Sequence, residues 1–184
     1  AEVRAAALRA AAQQAAAQSD WAAAGEMFEE ARDLYRASGH VSEEVLALAY
    51  ASFVSRMQAD GERAEQFARE AVQLSSGLDD DRTASAALTA LGDVHSMQGQ
   101  HDLAIVRYEE AVALRTRLGD PLLVTDAVYN LGMAAFHAGD LGRAREAFGE
   151  SLSHARALGE SPYLAAAQLM LALPDVSAGD VTSA

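Results

Sequence analysis

The residues best placed to do chemistry are five histidines, His40, His95, His101, His137 and His154, and the carboxylate pairs Glu29-Glu30, Glu43-Glu44 and Glu109-Glu110, with the run Asp79-Asp80-Asp81. Histidine titrates near neutral pH and is the commonest metal ligand. Two ligands on one helix face stand four residues apart, as in HExxH, and no two of these histidines do. His101 and Asp102 follow a turn signal and read as the solvated polar start of a helix. Adjacent carboxylates on a helix do not face each other, and acids in a first turn complement the helix dipole. These acids therefore read as caps and solvated faces. Ser52, Ser55 and Ser96 have no His and acid partners at a hydrolase-like arrangement, and no glycine-rich phosphate loop occurs. With no cysteine there is no disulfide, thiolate metal site or thiol nucleophile. All 14 basic residues are arginine, so no Schiff-base or phosphate-loop lysine exists either. The expectation is a protein that is not an enzyme and that holds no metal and no cofactor.

The elements that carry these residues are helical. Half of the chain is hydrophobic but only 6% is aromatic, much of the rest being alanine. Alanine has the highest helix propensity and lets helix backbones approach closely. Only three prolines interrupt the chain, and no period-2 alternation suggests strands. The formal net charge of −13 argues against direct nucleic-acid binding by this segment. No run of 18 apolar residues would span a membrane, and the alanine-rich start lacks the basic and leucine-rich regions of a secretion signal. A cytoplasmic location is expected.

The strongest feature is a repeat. Leu91-Gly92 recurs as Leu131-Gly132, an offset of 40, as do Gly99 and Gly139, Tyr108 and Phe148, and Leu118-Gly119-Asp120 and Leu158-Gly159-Glu160. Earlier units show Ala64 and Ala71, then Ala24, Phe28 and Gly39. A fixed period of this order marks a solenoid of stacked supersecondary units. Turn signals inside each unit fall at Ser19-Asp20, Asp60-Gly61, Gly99-Gln100, Gly139-Asp140 and Gly179-Asp180. Between units they fall at Ser38 to His40, Gly77 to Asp81, Gly119 to Pro121 and Gly159 to Pro162. Stripes such as Leu103, Val106, Ala111, Leu114 and Leu118 predict amphipathic helices of roughly 16–18 residues. The units are 1–40, 41–80, 81–120 and 121–160, with a partial fifth over 161–184. The first residue is alanine and the last unit is unfinished, so the expectation is a piece of a larger protein.

The pattern Leu91-Gly92, Gly99, Ala104, Tyr108, Ala111, repeated at Leu131-Gly132, Gly139, Ala144 and Phe148, resembles the tetratricopeptide repeat. Small residues at Gly92, Gly132, Ala104 and Ala144 would let two helices touch, with Tyr108 and Phe148 filling the space beside them. The chain departs from the standard unit in its period, which exceeds the roughly 34 residues usual for the repeat, in lacking the closing proline, and in having Ala68 where an aromatic is expected, with Phe67 one place early. The longer units resemble arrays in bacterial signal-transduction and transcription regulators of the MalT, AfsR or LuxR kind. The fold implied is an all-α, right-handed superhelical solenoid of antiparallel helix hairpins.

In this family the first helix of each unit lines the concave face. The resemblance therefore implies a partner-binding wall of Tyr50, Phe53, Arg56 and Met57 in unit two, Asp93 and Met97 in unit three, and Asp126, Tyr129, Asn130, Met133 and His137 in unit four. Aromatics with adaptable methionines suit an apolar peptide, a partner helix or a small-molecule effector. The competing expectation is that Phe53 and Phe136 are core. A two-carboxylate clamp for chaperone tails is disfavoured, since only Asn130 and Arg9 stand at clamp positions. The function implied is a protein-interaction or ligand-sensing segment of a bacterial regulator; a stand-alone adaptor and a signalling-peptide receptor are the alternatives. Uncapped end units could also drive self-association.

Overall fold

Aspartate stands before helix after helix at 20, 60, 80, 120 and 140, and its side chain closes each start. Asp20 accepts from the Ala23 amide, Asp60 from Arg63, Asp80 from Arg82 and Thr83, Asp120 from Leu122 and Leu123, and Asp140 from Arg143. Such a cap satisfies backbone donors that the first turn leaves orphaned, a contribution of about 1 kcal/mol each. In the computed structural model, which describes residues 2–159 and 168, the helices are α1 (Glu2–Ala17), α2 (Trp21–Ser38), α3 (Val41–Met57), α4 (Gly61–Ser75), α5 (Asp81–Met97), α6 (His101–Leu118), α7 (Pro121–Ala138) and α8 (Leu141–Ala157). The expected partial fifth unit at 161–184 lies outside the described residues.

Two or three residues separate most successive helices, so neighbours run antiparallel and each packs on the next. Contact between α3 and α5 stacks one hairpin on another. The result is an all-α solenoid. Gly39, Gly99, Gly119, Gly139 and Gly159 all take positive φ at helix ends, where glycine avoids the Cβ clash. Ser19 and Ala59 occupy the same repeat position as Gly99 and Gly139 and carry φ of 61° without that freedom. The expected turn at Asp60-Gly61 is corrected by one residue: Ala59 makes the left-handed step, and Gly61 opens α4. Gly61 serves a close approach instead, since a Cβ there would lie 3.2 Å from the Met97 methyl.

The core is a line of small clusters. Phe28, Val45, Leu48 and Phe67 centre the first, and Tyr108 and Phe148 a later one. The small–large fit expected from the sequence is direct: a Cβ on Gly92 would stand 2.8 Å from Tyr108, and one on Gly132 would stand 2.6 Å from Phe148. Unit two solves the same position differently. Ser52 replaces the glycine and, fully buried, donates its hydroxyl to the Ala64 carbonyl at 2.8 Å. Fully buried Ala68 stands where the later units have a ring, and the aromatic is Phe67, whose face is approached by Arg32 and Arg63 at 5.4 and 5.6 Å.

Candidate functional site

The inner wall comes from the odd-numbered helices. Their helical period brings side chains from successive units onto one face, where they line two hollows of about 970 and 470 Å³. Arg56, Asp93 and Asn130 border both, so the two form one continuous groove.

The larger hollow is entered past Tyr50, Leu118 and Leu122, which are 39%, 42% and 47% exposed. Tyr50 lies stacked on Phe28, ring centres 5.2 Å apart and planes 8° from parallel. Phe53 lines the hollow while packing edge-on against Trp21 at 5.9 Å, with the Arg56 guanidinium over its ring at 5.1 Å. Asp126 accepts from Arg115 at 2.6 Å, and the same guanidinium donates to the Leu123 carbonyl and to Thr89. Arg115 thereby ties α5, α6 and α7 together at the groove floor.

Asp93 is the electrostatic centre. It accepts a 2.7 Å hydrogen bond from the Tyr108 hydroxyl and faces Arg56 at 3.7 Å. Burial raises its carboxyl above the ordinary aspartate range, opposed by Tyr108 and Arg56, and the nearby Asp126 charge adds to the rise. The Tyr108 hydroxyl is in turn pushed far up by burial and by the Asp93 charge, so it stays a donor.

In the smaller hollow Met97, Tyr129, Met133 and His137 face one another across α5 and α7. Tyr129 packs against Phe148 at 5.9 Å, and Phe136 sits in the adjoining core. His101 corrects the expectation of a solvated helix start: its ring stacks on His137 at 5.4 Å, it lines the hollow, and its Nδ1 is buried without a hydrogen-bond partner among the described residues. The chain brings the start of α6 beside the end of α7, a neighbourhood no sequence spacing displays. Met57 is the candidate that the fold leaves aside; it lies at the end of α3 and lines neither hollow.

Sequence reasoning restricted to first helices missed Phe28, Arg115 and His101 as groove residues, and it also passed over Arg82 at the start of α5. The only available signal was that arginine is this chain's sole cation. Among the described residues no three His, Cys, Asp or Glu side chains come close enough to hold a metal ion, and no helix is long and apolar enough to cross a membrane.

Residues 43–117, spanning α3 to α6, match the family model described as tetratricopeptide repeat. They belong to the tetratricopeptide repeat family. A search of curated proteins by sequence finds no match. Solved tetratricopeptide-like structures extend the likeness over the array. A Rap protein complexed with Competence and Sporulation Factor superposes with a TM-score of 0.81 at 14% identity, over 94% of this chain and 48% of that one. A putative kinesin light chain from Podosopora anserina gives 0.75 at 14% identity, over 95% and 86%. BtubC from P. vanneervenii gives 0.67 at 22% identity, over 84% and 65%. The chain thus spans about half of the Rap protein and under two thirds of BtubC. At these identities the shared property is the fold.

Proposed function

We propose that the groove of this tetratricopeptide array binds a segment of a protein or peptide, and that the array serves as the sensing part of a larger bacterial regulator acting in the cytoplasm. The observation that carries the binding reading is the continuous groove, in which exposed Tyr50, Leu118 and Leu122 stand beside a fixed polar floor of Arg115, Asp126 and Asp93. Apolar surface of this kind is retained where a partner covers it, and the polar groups fix that partner's register. The array itself would do no chemistry: occupancy would alter a neighbouring output domain or the self-association of the end helices. A small-molecule effector fits the same volume.

A signalling-peptide receptor is favoured as a second reading by the Rap likeness, because that protein was solved with Competence and Sporulation Factor. Affinity capture from lysate of the source cell tests the groove. Tyr50→Ala combined with Asn130→Ala and His137→Ala should abolish capture of the partner while leaving helical circular dichroism intact. Equal capture by wild type and variant would move function to the outer surface and favour an adaptor.

A further inference from the structure

The groove carries donors that no described residue satisfies. This is an acidic protein, 27 carboxylates against 14 arginines, so a guanidinium left without a carboxylate is unexpected. Among the described residues Arg9, Arg82 and Arg156 are in that position, whereas Arg63 and Arg117 each hold one and Arg36 holds two. Arg9, half-buried, and Arg82, exposed, line the same hollow. The acids beside them are already engaged: Asp93 by Tyr108, Asp126 by Arg115, and Asp120 by the amides that open α7.

A second observation points the same way. Four buried side-chain polar atoms lack a hydrogen-bond partner among the described residues: the Nε of Arg9, Arg56 and Arg115, and the Nδ1 of His101. All four belong to residues lining the groove. Buried polar groups are nearly always satisfied, so orphans gathered in one groove call for a ligand or water, and guanidinium donors call for acceptors. Charged acceptors make the stronger bonds.

Resting on the reading of the groove as a binding surface, we propose that its occupant is an acidic amphipathic peptide segment. Its side-chain carboxylates are held by Arg9 and Arg82, and its apolar residues lie on Tyr50 and on the Leu118 and Leu122 rim. The overall charge of −13 repels such a segment at long range. Selection therefore rests on the local pairing inside the groove.

The test uses fluorescence polarisation with the full chain and two labelled probes, the synthetic peptide Glu-Leu-Glu-Phe-Leu-Glu and its counterpart with every Glu replaced by Gln. The expected result is about tenfold tighter binding of the Glu probe, the order given by one or two charge-assisted bonds. Arg9→Gln with Arg82→Gln should erase that preference, and Arg156→Gln, outside the groove, should leave it intact. Equal binding of the two probes, or an equal loss in Arg156→Gln, would overturn the proposal. If the Gln probe binds as well as the Glu probe and both are lost on Tyr50→Ala, the groove stands and its anion preference falls. If neither probe binds wild type, both readings fall together.

Discussion

Three glycines show how little space separates a required residue from a replaceable one. Gly92 and Gly132 face Tyr108 and Phe148 at distances a Cβ cannot occupy, and neither ring can retreat: Tyr108 is held by Asp93 and Phe148 is fully enclosed. Alanine would gain about 1 kcal/mol of helix propensity there, against an overpacking cost of about 1–3 kcal/mol. At 2.6 Å the steric cost wins, so Gly132→Ala should lower the unfolding midpoint, with Gly92→Ala affected somewhat less. Gly149, in the middle of α8, meets nothing within 4 Å. Gly149→Ala should therefore raise stability by about 0.5–1 kcal/mol, measurable by urea denaturation. The carboxyl of Asp93 makes a prediction of opposite character. Its folded pKa is raised, so its contribution to stability is fully present below the ordinary aspartate value and is lost as pH rises through the shifted one. The midpoint of Asp93→Asn relative to wild type should accordingly rise as pH increases above the ordinary aspartate range; a difference that is flat or falls with pH would contradict the burial assigned to this group.

At the level of helices, the caps and the arginine tie determine how units meet. Aspartate at the N-caps and glycine past the C-termini are local devices, which is why the turns were legible from the repeat register. The one-residue error at Ala59 arose where a glycine sat next to the turn without making it. Arg115 was not legible. It lies on a second helix, and its value comes from reaching Thr89 on α5 together with Leu123 and Asp126 on α7. Truncation leaves the Asp126 carboxylate and two further acceptors without that donor. Arg115→Ala should cost about 2–3 kcal/mol and loosen the junction between α6 and α7, which chemical denaturation of the single variant would read.

Over the whole molecule, contacts run between neighbouring helices, so stability should be nearly a sum of units and their interfaces. Gly132→Ala should therefore accelerate hydrogen exchange in α7 and α8 well before α1 to α4 respond. A uniform rise along the chain would show one cooperative core instead. The sequence by itself determined the helices, their punctuation and the solenoid. These follow from short-range causes: helical period, small–large pairing at a fixed offset, and capping chemistry. Tertiary structure alone decided which side chains share the groove. His101 meets His137, Phe28 supports Tyr50, and Arg9 and Arg82 line one hollow without a carboxylate partner among the described residues, while Met57 falls outside. Those relations depend on how hairpins stack and on which acids other residues have already taken, and neither quantity is a property of spacing along the chain.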